Sequence, residues 1–157
     1  MGGIFKLESL YGLLVLIHVI AAVAGLGASF AMPIIANYPK TVSQIKFAME
    51  INKNVEKTVK IGSISLLLTG LILGLINPAL FTQGWYIASL LIYVAVQPIT
   101  AVILPKKMKQ MGQLIANHSS EEIPDEFIKI QKTTAPYNMI LHSSAIILII
   151  LMSIKPF

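Results

Sequence analysis

The chain has 157 residues, 55% of them hydrophobic and only 12% charged, with a formal net charge of +5. Water-soluble domains carry about 25% charged residues, so this composition excludes an ordinary soluble fold and makes lipid the solvent of the outer surface. Every basic residue is lysine and there is no cysteine, which excludes guanidinium clamps, disulfides, iron–sulfur clusters, thiolate metal sites and cysteine nucleophiles.

Three stretches carry no Asp, Glu, Lys or Arg: Ser9 to Pro39 (31 residues), Ile61 to Pro105 (45) and Thr133 to Ile154 (22). A helix needs about 20 apolar residues to cross the hydrocarbon. The middle stretch holds two crossings, separated by the turn signals Asn77-Pro78 and Gly84. The expected architecture is all-α: an integral membrane, four-helix, up-and-down bundle with cytosolic helical extensions. It forms a single transmembrane domain over residues 1–157, with spans near 10–35, 57–76, 85–104 and 136–154. The first apolar run is too long for a signal-peptide core, and Lys6 ahead of it is balanced by Glu8. Tyr11, Trp85 and Tyr86 have the place of interfacial anchors.

Between the first two spans, Thr41 is placed to cap a helix carrying Val42, Ile45, Met49, Val55 and Val59, with Glu56 and Lys60 four apart. Lys57 and Lys60 then snorkel at the start of the second span. Gly70 and Gly74 within that span allow close helix approach. Pro98 predicts a kink in the third span, because it removes a donor from the Val94 carbonyl. Beyond it the helix continues through Lys106–Ala116 and breaks at Asn117–Ser120. A short helix follows Pro124, with Asp125 and Lys129 paired. Both long connections are expected to lie along the inner membrane surface.

Ten lysines fall in these two connections, and Lys6 and Lys155 fall on the other side. Lysine-rich loops stay inside. The expected localisation is therefore the plasma membrane of a prokaryote, multi-pass, with both termini outside. Such lysines face anionic lipid headgroups rather than nucleic acid. The Gly/Ala faces suit a homo-oligomer or a larger membrane complex.

No carboxylate lies within the spans, which argues against proton- or cation-coupled transport. The deep ionisable groups are His18, on a face with Ala21, Ala22, Gly25, Ala28, Ser29 and Met32, and His142, on a face with Asn138, Ala145 and Met152. Small neighbours admit a second helix or a flat cofactor. A neutral imidazole in apolar surroundings suits haem iron, so His18 and His142 are the candidate cofactor-binding and iron-ligating residues. The alternative is a hydrogen bond to Ser65, Thr69, Gln97, Asn138 or a backbone carbonyl. The two rings are expected at depths roughly 10 Å apart, so a bis-histidine haem requires tilt. Met32 and Met139 are the soft-ligand alternatives. His118 sits at the predicted break and is expected to face solvent. No cluster has zinc-site spacing.

Four ordered segments carry a family resemblance: Leu16-Ile17-His18-Val19-Ile20 with Gly25-Leu26-Gly27; Leu67-Leu68-Thr69-Gly70-Leu71; Gly84-Trp85-Tyr86-Ile87-Ala88-Ser89-Leu90 with Leu104-Pro105-Lys106-Lys107; and Leu151-Met152-Ser153-Ile154-Lys155-Pro156. Together they resemble a prokaryotic family of predicted integral membrane proteins of unknown function. The first-span histidine and second-span Thr-Gly are also similar to the CopD-type copper-resistance proteins and the HemJ-type protoporphyrinogen oxidases. That likeness implies a haem-linked site at His18. The chain departs from the HemJ pattern in having no arginine, and it has no dense Met or His cluster for copper. The functional expectation is a membrane protein with a haem b site serving redox chemistry or haem handling. The alternatives are a non-enzymatic structural or accessory subunit, and a small passive transporter or channel with a polar path through Ser65, Thr69, Gln97 and Asn138.

Overall fold

Peptide groups in hydrocarbon have no water to bond, so each apolar run must satisfy its own backbone as a helix. The computed structural model describes residues 2–157, with side chains from Ser9 onward. Four rods, Ser9–Asn37, Val42–Ile76, Gly84–Ala116 and Asp125–Ile154, are long and apolar enough to cross a membrane. No strand occurs among the described residues. The molecule is an all-α membrane bundle.

The first rod is not one regular helix. It comprises α1 (Gly2–Ala22), a π turn at Val23–Gly27 and α2 (Ala31–Asn37). The second rod is a single helix, α3 (Val42–Ile76), of 35 residues. The Thr41 hydroxyl accepts from the Gln44 N–H at 3.3 Å and starts it. The third rod is α4 (Gly84–Pro98), a π turn at Ile99–Ile103 and α5 (Leu104–Ala116). A short 3₁₀ turn, Pro78–Thr82, joins the second rod to the third. The fourth rod is α6 (Asp125–Lys132) followed by α7 (Ala135–Ile154).

Several expectations need correction. The helix begun at Thr41 does not lie along the membrane surface, because it is continuous with the second span. At 1.5 Å per residue α3 is about 52 Å long against a hydrocarbon thickness of about 30 Å, so its first turns stand clear of the lipid. A π turn, Ile99–Ile103, follows Pro98 within the third rod. Trp85 and Tyr86 are buried in the bundle, not displayed as interfacial anchors. Glu56 and Lys60 pair at 2.6 Å; Asp125 and Lys129 do not.

The helix α3 is the axis of the bundle. On one side it meets the first rod at a crossing of bare backbone. A Cβ on Gly62 would collide with the Gly25 N and would lie 2.7 Å from the Gly25 Cα; one on Gly25 would lie 2.8 Å from the Ser63 N. Only glycine permits this approach. On its other side α3 receives two tyrosines of α4. Tyr86 donates to the Gly70 carbonyl at 3.0 Å, and Tyr93 donates to the Ser63 carbonyl at 2.8 Å while accepting from the Ser63 hydroxyl at 2.6 Å. Donors and acceptors are both seven residues apart, two helical turns, as antiparallel neighbours require. The helix α7 packs against α4.

At the lysine-rich end, Val42, Ile45, Met111, Ile115 and Phe127 bring α3, α5 and α6 together in a small core. The loop after α5 is clamped to the start of α3. The Val42 N–H donates to the Glu121 carbonyl at 3.1 Å, and the Glu121 carboxylate accepts from the Ser43 N–H at 3.1 Å and from the Ser43 hydroxyl. These bonds hold the Glu121 carboxyl below its ordinary range.

Candidate functional site

His18 lies on the face of α1 that meets α3. The helical repeat puts it one turn from Ala21 and Ala22, and the small residues there let α3 come close. The ring is half-buried. Gly70 provides the space beside it: a Cβ at that position would lie 3.3 Å from the His18 Cε1. The His18 Nδ1 is 2.8 Å from the Thr69 hydroxyl oxygen.

Hydrogen counting assigns the tautomer. Thr69 Oγ1 lies 2.6 Å from the Ser65 carbonyl and 3.2 Å from the Leu66 carbonyl, both of which only accept. A hydroxyl has one proton, and these carbonyls hold it. The 2.8 Å contact with His18 must therefore use a proton on Nδ1. The neutral ring is the Nδ1–H form, and its Nε2 keeps a free lone pair.

His142, on α7, has the opposite arrangement. Its Nε2 lies 3.4 Å from the Ser29 carbonyl, and its ring stacks on Phe30 at a centroid separation of 4.6 Å. In a regular helix the Ser29 carbonyl would receive the N–H of the fourth residue on, which is Pro33 and has none. His142 supplies the missing donor from another rod, so its Nε2 carries a proton. The π turn leaves a second irregularity beside it. The Phe30 N–H bonds to the Gly27 carbonyl at 3.2 Å, and the Ser29 hydroxyl serves the Leu26 carbonyl at 2.7 Å.

The structure does not bring the two rings together. His18 and the residue that meets His142, Ser29, are eleven positions apart on the first rod, about 16 Å along its axis. Met32 lies still further along that rod, its carbonyl accepting from the buried Asn52 side chain at 3.0 Å, and Met139 faces outward from α7. His118, expected in solvent, is half-buried at the end of α5. No group of three or more His, Asp or Glu side chains with metal-site geometry occurs among the described residues. Of the polar residues weighed for a path, Thr69 and Gln97 turn back onto carbonyls of their own helices, the latter to Tyr93 at 3.3 Å.

A family model described as a predicted integral membrane protein, DUF2269, matches residues 12–156. The chain belongs to that family. The matched range contains His18, Thr69, Pro33 and His142, so both histidine arrangements lie within the family's domain. No curated protein and no solved structure matches the chain.

Sequence reasoning overlooked three contributors: Pro33, Gly25 opposite Gly62, and Asn52. Pro33 was the most accessible, since a proline inside an apolar run always frees the carbonyl four residues earlier. The glycine crossing and the buried Asn52 depend on which helix lies opposite, and no local pattern announces that.

Proposed function

We propose that this integral membrane protein is a haem b-binding protein serving redox chemistry or haem handling, with His18 as the protein's iron ligand and His142 as a structural residue. One observation carries the proposal: the His18 Nδ1–H is engaged by Thr69, whose own proton is engaged by α3 carbonyls, so the Nε2 lone pair is free and its ring is fixed in direction. The residues around it fit the group. An imidazole oriented by Thr69, Gly70 beside it and an apolar helix surface are what a macrocycle in a bundle requires. When bound, haem b would supply one-electron chemistry. The chain's own contribution is to orient Nε2 through Thr69, to raise its basicity through that hydrogen bond, and to exclude water with the aliphatic residues of α1 and α3.

The lysine distribution supports placing the α3–α5–α6 end in the cytoplasm of a prokaryotic cell, both termini outside and the lysines against anionic headgroups. A second reading, an accessory subunit without cofactor, is favoured by His142, whose ring bonds the Ser29 backbone carbonyl.

Absorbance of the detergent-purified protein after haem supply is the test. A Soret band is expected for the wild type and for His142→Leu, and is lost in His18→Ala. Thr69→Val keeps the band but shifts the reduction potential upward, because without the hydrogen bond at Nδ1–H the Nε2 is a weaker donor. A wild-type protein with no Soret band after haem supply removes the haem reading and leaves the accessory one.

A further inference from the structure

Among the lysines whose side chains are described, Lys107 alone is half-buried; the others are exposed. It sits at the start of α5, and its ammonium reaches across to the fourth rod. Nζ donates to the Thr133 hydroxyl at 2.6 Å and lies 5.7 Å from the centre of the Tyr137 ring. The Thr133 proton is engaged by the Ile130 carbonyl at 2.6 Å, so the contact uses an ammonium proton. An ammonium has three, and Thr133 takes one. Lys107 forms no ion pair among the described residues. A cation withdrawn from water and left without a counter-ion is costly unless something outside the chain completes it.

Two rods fix its depth independently. About 20 residues fill the hydrocarbon, Trp85–Leu104 on the third rod and Ala135–Ile154 on the fourth. Lys107 lies three residues beyond the one and Thr133 two residues beyond the other, about 3–5 Å outside the hydrocarbon. The headgroup layer is about 5–7 Å deep on each side, so the ammonium stands at the level of the lipid phosphates. The charge there is one-sided. Lys106 and Lys132 flank the pair in sequence and are exposed. No acidic residue occurs in α5, and the last one before Ala135, Glu126, stands nine residues earlier, about 13 Å further from the hydrocarbon. Glu56, at the corresponding level of α3, is already paired with Lys60.

We propose that Lys107, held by Thr133 and Tyr137, is the phosphate-binding centre of a site for one anionic phospholipid of the phosphatidylglycerol class, an assignment that rests on the reading of the lysine-rich end as facing anionic headgroups. The two remaining ammonium protons go to the phosphodiester oxygens, and the acyl chains run from there into the hydrocarbon. Lys106 and Lys132 disfavour a headgroup that carries its own positive charge. The helical repeat puts Gln110 on the same face as Lys107, and Ile130 on that of Thr133. These residues line a groove of about 340 Å³ with Gln113 and Glu126, where amide and carboxylate groups suit the hydroxyls of a glycerol headgroup.

Native mass spectrometry of the full chain in a neutral detergent tests this, with phosphatidylglycerol, phosphatidylethanolamine and phosphatidylcholine of identical acyl chains added in equal amounts. The wild type is expected to retain one phosphatidylglycerol in preference to the other two. Lys107→Gln should weaken that retention about tenfold or more, since it removes charge-assisted bonds to the phosphate. Lys109→Gln, an exposed control on the same helix, should leave it unchanged. Thr133→Val keeps every charge and should weaken retention less than Lys107→Gln does, because the ammonium is no longer held in place. Millimolar inorganic phosphate should not displace the lipid. Equal losses in Lys107→Gln and Lys109→Gln, or full retention in Thr133→Val, overturn the site and leave only diffuse attraction between lysines and the membrane. Displacement by inorganic phosphate overturns it in favour of a soluble anion. A wild type with no preference for phosphatidylglycerol overturns it and removes the broader headgroup reading as well.

Discussion

Gly62→Ala tests the geometry on which the His18 site rests. The added methyl would sit 2.7 Å from the Gly25 Cα and 2.9 Å from the Ala21 carbonyl oxygen, and closer still to the Gly25 N. All three are backbone atoms, so no side chain can rotate away. Ordinary carbon contacts need roughly 3.5 Å, and the first rod must therefore move off α3 by about 1 Å. Overpacking of this kind costs about 1–3 kcal/mol. The displacement also acts at a distance. His18 and Thr69 meet seven residues along α3 from Gly62, and their 2.8 Å bond has no slack for an ångström of separation. Losing an interhelical hydrogen bond in a membrane adds about 0.6 kcal/mol. Reversible unfolding in bicelles, monitored by steric trapping, would measure the sum. Solution NMR of a ¹⁵N-histidine-labelled sample would show whether His18 leaves its Nδ1–H form. Gly25→Ala should act alike, and the double variant should cost less than the sum, since one separation relieves both clashes. Wild-type stability in Gly62→Ala, with an unchanged His18 tautomer, would refute the close crossing and the coupling drawn from it.

His142→Leu should destabilise the bundle by about 1–3 kcal/mol, because it strands the Ser29 carbonyl; adding Pro33→Ala returns a helical N–H and should recover most of the loss in the same assay. Tyr86→Phe and Tyr93→Phe each remove a bond to an α3 carbonyl, for about 0.6 kcal/mol apiece, and should be near additive at two turns' separation. Glu121 gives a pH dependence: its folded carboxyl titrates below the unfolded one, so the clamp on α3 is present above the ordinary glutamate range and is lost as pH falls through the lowered value. The protection of the Val42 and Ser43 amides, taken relative to the intrinsic exchange rate at each pH, should fall on acidification, and Glu121→Gln should show low protection at every pH. Preserved protection of these two amides in Glu121→Gln would contradict the clamp.

Much of the architecture is legible in the residues alone because hydrocarbon imposes a local rule. A run without charges must be helical over its crossing length, and Asn77-Pro78 and Gly84 must lie where the chain turns back. Thr41 as a helix start and the break after Ala116 follow from equally local chemistry. The inward placement of His18 and His142 is also readable, since a polar ring facing lipid would lack a partner. What each histidine does is not. His18 and His142 look alike in sequence, each a single imidazole among apolar residues. One meets a threonine whose proton is already engaged, the other a carbonyl orphaned by a proline in a different rod. Likewise nothing local distinguishes Tyr86 as an interfacial anchor from Tyr86 as a donor to α3, or shows that Gly25 faces Gly62. These outcomes depend on the rotation and depth of one rod against the next. Those are set by the sum of many weak contacts between distant segments, and tertiary packing alone decided them.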